Sequence, residues 1–77
     1  MIVKVYTTTT CPWCVKTKDY LKEKNVEYEE INVSENKDAV AELMEKSGQL
    51  GVPVTDINGT IIIGFDKAAI DQALAGG

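Results

Sequence analysis

Apolar and polar positions change period several times along the chain, and each change marks an element. Ile2 to Tyr6 is apolar and β-rich, with Lys4 as its single break, and predicts a strand buried on both faces apart from that position. From Pro12 to about Lys24 the period is helical: Cys14, Thr17 and Leu21 share one face, lysines the other, and Asn25 is a plausible stop. A second strand is predicted over roughly Glu27 to Val33, where Val26, Tyr28, Ile31 and Val33 supply the apolar content. Between about Asn36 and Ser47, Val40, Leu43, Met44 and Ser47 recur at i, i+3, i+4 and i+7. That spacing predicts a helix with Met44 among its core positions, closed by Gly48.

Val52-Pro53-Val54-Thr55-Asp56-Ile57 and Thr60-Ile61-Ile62-Ile63 flank Asn58-Gly59, the strongest short-range hairpin signal, so these two strands should be antiparallel. Asp66 is a good N-cap for a last helix with Ile70, Ala73 and Leu74 inward. The order is β-α-β-α-β-β-α. A helical connection between the first two strands implies a right-handed parallel pair. The expectation is an α/β fold in which three helices flank a small mixed sheet.

At 77 residues the chain bounds the answer at one compact domain, residues 1–77, with a marginal core. Hydrophobic content of 44% and charged content of 26% are those of an ordinary globular protein, which excludes a disordered or fibrous chain. Eight Lys oppose twelve acids, there is no Arg, and the net charge is −4. Phosphate contacts need clustered cations, so nucleic-acid binding is not expected. No apolar run is long enough to span a membrane, and Met1-Ile2-Val3-Lys4-Val5-Tyr6 does not read as a signal peptide. The cytosol is the expected compartment. The acidic cluster Glu27-Glu29-Glu30 reads as a solvated strand face.

The two cysteines, Cys11 and Cys14, carry the chemistry. With one pair and no His the chain cannot close a four-ligand zinc site by itself. A disulfide between them closes a very short loop, where cross-linking stabilises least. A cytosolic pair at this spacing points instead to catalysis or metal binding. Residues i and i+3 of a helix have Cα atoms roughly 5 Å apart, within disulfide reach. Pro12 fits the first helical position, which makes Cys11 the N-cap, its sulfur facing the free amides of Trp13 and Cys14 and the positive end of the helix dipole. Both effects favour a Cys11 thiolate, while Cys14, one turn in, should remain a thiol. That asymmetry suits dithiol–disulfide exchange: Cys11 attacks and Cys14 resolves. Residues 1–24 hold five Lys against two acids, so the pair lies in the only basic stretch.

Cys11-Pro12-Trp13-Cys14 after a strand, Val52-Pro53 before the third strand, Asn58-Gly59 and Gly64-Phe65-Asp66 together resemble a glutaredoxin. The resemblance covers essentially the whole chain and implies a minimal thioredoxin fold, with a four-stranded mixed sheet flanked by three helices. It further implies a cytoplasmic, monomeric thiol–disulfide oxidoreductase that reduces protein disulfides or glutathione mixed disulfides, with no bound cofactor or metal. Glutathione or thioredoxin reductase would be the electron source. Pro53 is then the cis-proline beside the cysteines, the Val52 backbone offers hydrogen bonds to an incoming thiol, and Trp13 and Asp66 hold substrate. Thr10, Pro12 and Gly64 shape the site. Trp13 stands where Tyr is usual, Gly51 where Thr is usual, and Thr8 where many members carry a cation. Ile63-Gly64-Phe65 is similar to redoxins that feed ribonucleotide reductase, and the overall likeness is to short glutaredoxin-like proteins of the YruB type. A metal or iron–sulfur carrier, with two subunits or glutathione completing the ligand set, is the alternative of another class.

Overall fold

The structure is a computed structural model that describes residues 2–48 and 51–76. Met1, Gln49, Leu50 and Gly77, which the one-domain reading of 1–77 includes, lie outside the described residues. The elements are β1 (Val3–Thr7), α1 (Pro12–Glu23), β2 (Glu29–Asn32), α2 (Lys37–Ser47), β3 (Val54–Ile57), β4 (Thr60–Ile63) and α3 (Lys67–Gly76). The four strands form one sheet in the order β2-β1-β3-β4. β1 runs parallel to β2, with Lys4 opposite Glu29 and Thr7 opposite Asn32. It runs antiparallel to β3, with Val5 opposite Thr55, and β3 and β4 form the antiparallel hairpin that Asn58-Gly59 predicts. This is the mixed sheet and three-helix arrangement of a minimal thioredoxin fold.

β1 is central and buried except at Lys4, as its composition requires. Its alternate residues feed two cores. Val3 and Val5 join Leu21, Ile57, Ile62 and Ile70 beneath α1 and α3. Tyr6 joins Leu43 and Val54 beneath α2. The inward face of α1 is Cys14, Thr17 and Leu21, and that of α3 centres on Ile70 with Ala73 and Leu74 beside it. Asn36 caps α2, its Oδ1 accepting from the Asp38 and Ala39 amides at 3.1 and 3.3 Å.

Two expectations need correction. Met44 is not core but 42% exposed. The buried stripe of α2 is Ala39 and Leu43, an i, i+4 pair, and a step of about 100° from Leu43 carries Met44 to the margin. β2 is shorter than Glu27 to Val33. Asn25 at φ +59° and the Val26 amide, which donates to the Leu21 carbonyl at 2.9 Å, extend the turn after α1. Val26 and Tyr28 pack on the core from outside the ladder.

A polar network on the α2 face has no counterpart in the linear pattern. The Lys46 ammonium donates to Asp56 Oδ2 at 2.6 Å and to the Tyr6 hydroxyl at 3.0 Å, and pairs with Glu42 at 3.1 Å. Burial alone would raise the Asp56 carboxyl, but Lys46 and the Gly59 amide outweigh it and hold the group below its ordinary value. The Tyr6 hydroxyl, then Lys46, hold Glu42 low as well. A carboxylate depressed in the folded state stabilises fully above its unfolded value, about 4, and loses that contribution as pH falls through the folded value. Stability should therefore drop on acidification below about pH 4. Asp56→Asn should cost about 1–3 kcal/mol at neutral pH and flatten that acid limb. Urea midpoints across pH 7 to pH 3 for both chains check this.

Candidate functional site

β1 ends at Thr7, and that end is anchored. The Thr7 carbonyl accepts from the Val33 amide at 2.8 Å, and its hydroxyl donates to Glu30 Oε2 at 2.9 Å. Lys18 of α1 donates to the same oxygen at 2.8 Å, so Glu30 ties β1, β2 and α1 together. Lys18, then the Thr7 hydroxyl, keep the Glu30 carboxyl below its ordinary value. The expected solvated acidic face thus holds for Glu27 and Glu29 but not for Glu30, which is engaged. The Thr9 amide donates to Ser34 Oγ and Asn32 Nδ2 donates to Thr9 Oγ1, both at 3.4 Å. The Thr8 hydroxyl donates to the Thr10 carbonyl at 3.5 Å, and Thr10 itself is exposed at the entry to α1.

Cys11 is the N-cap of α1 with extended backbone (φ −146°, ψ 95°), and Pro12 fills the first helical position. Of the two amides expected to face the sulfur, that of Cys14 makes the bond: its N–H donates to Cys11 Sγ at 3.1 Å. Cys11 and Cys14 are joined as a disulfide with Cα atoms 5.2 Å apart. Cys11 is half-buried, whereas Cys14 is 1% exposed. An incoming group can therefore reach the first sulfur and not the second.

A groove of about 320 Å³ is lined by Trp13, which stands between the two cysteines in sequence, and by Val52, Pro53, Gly64 and Phe65. Trp13 is 56% exposed, with Lys16 Nζ 4.3 Å from its ring centre and Phe65 6.4 Å away. The Val52–Pro53 bond is cis. The Pro53 carbonyl accepts from the Gly64 amide at 2.8 Å, so the end of β4 is fastened to the groove floor. Gly64 has φ +78°, a left-handed conformation open to Gly; a Cβ would find space there, so the constraint is the backbone. Asp66 does not line this groove. Its Oδ1 accepts from the Ala69 amide at 3.1 Å, the helix-capping role, and it borders a separate cleft between β4 and α3.

Residues 3–62 match the family model described as Glutaredoxin. The chain belongs to the glutaredoxin family. It is 48% identical over 73 residues to the glutaredoxin-like 8.6 kDa protein of the rubredoxin operon of Clostridium pasteurianum, covering 95% of this chain and 97% of that one. Among solved structures, a glutaredoxin from Archaeoglobus fulgidus superposes with a TM-score of 0.85 at 26% identity, over 94% of this chain and 84% of that one. The glutaredoxin-like protein NrdH-redoxin from Escherichia coli, described as having a thioredoxin-like activity profile, gives 0.82 at 28% identity, over 94% and 93%.

Membership in the family makes this glutaredoxin a thiol redoxin built on the Cys11–Cys14 pair. The fold brings Trp13, Val52, Pro53 and Gly64 to one groove beside the pair, and leaves Asp66 at another cleft. Sequence reasoning passed over Phe65 and Lys16 as site residues. Phe65 stood within Gly64-Phe65-Asp66, and Lys16 lies three residues after Trp13, the spacing at which helical side chains meet. Among the described residues no helix is long and apolar enough to cross a membrane. Because Asp66 Oδ1 caps α3, Asp66→Ala should lower stability by about 1 kcal/mol, while Asp66→Asn should stay within a few tenths. Urea denaturation at neutral pH measures both.

Proposed function

We propose that this glutaredoxin is a dithiol exchanger in which Cys11 attacks a target disulfide and Cys14 resolves the product. The observation that carries this reading is the unequal placement of the two sulfurs: one at a helix start and reachable, the other one turn in and enclosed. In the reduced protein the Cys11 thiolate would keep the Cys14 amide and the helix dipole as partners. Its attack forms a bond from Cys11 Sγ to one target sulfur and releases the other as a thiolate that takes up a proton. Cys14 then loses its proton and attacks Cys11 Sγ, which expels the second target thiol and closes the Cys11–Cys14 disulfide. A thiol reductant returns the pair to the dithiol.

The groove supports the substrate roles. Pro53, Gly64 and Val52 line it, the Val52 backbone being the proposed partner of an incoming chain, and Trp13 and Phe65 supply apolar walls. Thr10 and Pro12 frame the pair. Disulfide-bearing proteins are the proposed targets, and the reducing cytosol the proposed compartment, with the chain acting as a monomer.

A second reading concerns the electron source: a thioredoxin-reductase-coupled donor to ribonucleotide reductase. The likeness to NrdH-redoxin, described as having a thioredoxin-like activity profile, supports it. So does Thr8 where many members carry a cation for a carboxylate of glutathione, together with the capping bond of Asp66.

Three experiments test these readings. Alkylation rate against pH should give reduced Cys11 a pKa below the free-thiol value of about 8.5, and a value at or above it removes the activation argument. Reduction of one small disulfide can be driven either by thioredoxin reductase or by glutathione with its reductase. Turnover is expected to be faster with the first. Faster turnover with glutathione would return Val52 and Asp66 to a glutathione site and exclude the second reading. Cys14→Ser should lose activity on protein disulfides.

A further inference from the structure

Thr55 of β3 is fully enclosed, at 0% exposure, and its hydroxyl has no hydrogen-bond partner among the described residues. The other two fully buried threonines are satisfied: Thr7 donates to Glu30 and Thr17 to the Trp13 carbonyl. An unpaired buried hydroxyl is destabilising, so a group that relieves it in another state of the molecule favours that state.

The register places this hydroxyl. Thr55 stands opposite Val5 on β1 and Ile62 on β4, and residues directly opposite share a face of the sheet. Val5 and Ile62 belong to the core beneath α1 and α3, so Thr55 faces that layer too, two residues along β3 from Pro53. The face α1 turns to the layer is Cys14, Thr17 and Leu21. The loop after Thr7 reverses the chain, so moving from Leu21 to Cys14 runs toward the same end of the sheet as moving from Val3 to Thr7. Leu21 lies in the apolar cluster with Val3 and Val5, and Cys14 lies about two turns nearer the Thr7 end. Thr55 therefore faces the same layer as the buried face of α1 that carries Cys14, and on that face the Thr17 hydroxyl is already committed.

Cys14 is the group in this layer whose hydrogen bonding changes with redox state. In the disulfide its sulfur carries no proton and no charge; reduced, it is a thiol, and during resolution a thiolate. We infer that Thr55 is the redox-linked hydrogen-bond partner of Cys14, its hydroxyl donating to the sulfur once the disulfide is open. Reduction by a thiol reductant adds two electrons and two protons, breaks the Cys11–Cys14 bond and forms two S–H groups. Thr55 gives up no atom in this step; it is a positioning residue that favours the reduced state and the resolving thiolate. The inference rests on the dithiol-exchange reading above.

The test is the equilibrium of the full chain with dithiothreitol, oxidised and reduced. Thr55→Val keeps the shape and removes the hydroxyl, so the disulfide form should gain about three- to tenfold over the dithiol form. That corresponds to a potential more negative by roughly 15–30 mV. Urea denaturation should find the oxidised Thr55→Val chain at least as stable as the parent and the reduced one less stable. Should the valine chain fail to fold, Thr55→Ala and Thr55→Ser lose the same methyl and differ in the hydroxyl, and only the alanine chain should shift. An unchanged potential, or a shift toward the dithiol, overturns the inference and leaves the exchange reading standing. A parent chain whose disulfide does not exchange with dithiothreitol at all overturns the exchange reading itself.

Discussion

A helix must find acceptors for its leading amides, and α1 uses sulfur for one of them. Cys11 occupies the place where Ser, Thr, Asp or Asn would ordinarily cap a helix, and the Cys14 amide donates to it. The same contact that begins the helix therefore brings the two cysteines into bonding range and sets their unequal access to solvent. The rest of the structure serves to hold that helix start still. β1 is buried on both faces and delivers the chain to the loop; Glu30 and Lys18 fasten its end; Pro53 and Gly64 close the groove beside it.

The two faces of the sheet divide the remaining work. Beneath α1 and α3 the layer is apolar apart from three enclosed threonine side chains, and it supports the cysteines. Beneath α2 the apolar cluster is smaller, and a lysine with two carboxylates and a tyrosine hydroxyl completes it. In that second layer the Lys46 charge is paired with Asp56 and Glu42 and bonded to the Tyr6 hydroxyl.

The parts of the fold legible in the sequence were those decided between neighbours along the chain. The hairpin follows from Asn58-Gly59, the start of α1 from Pro12 after a capping residue, and the two-sided burial of β1 from its composition. The cysteine pair was legible for the same reason, since three residues of helix fix its geometry. What could not be read depends on groups far apart in sequence. Lys46 with Asp56 and Tyr6, and Glu30 with Thr7, meet through sheet register and helix placement. Met44 fitted the helical period, yet the rotation of α2 on the sheet left it outside. Asp66 had two compatible roles on paper, and its place beside the β4–α3 cleft favours the cap.

The sheet ends in two unlike strands. β2 presents Glu29, whose charge opposes the approach of another strand, while Glu30 is paired with Lys18. β4 presents Thr60-Ile61-Ile62-Ile63, with no charge and no proline, and Ile63 is 51% exposed. Association between crowded copies of this protein is thereby guarded at one margin and unguarded at the other. Those four residues are thus the stretch of sheet margin that lacks the protection a charged edge gives.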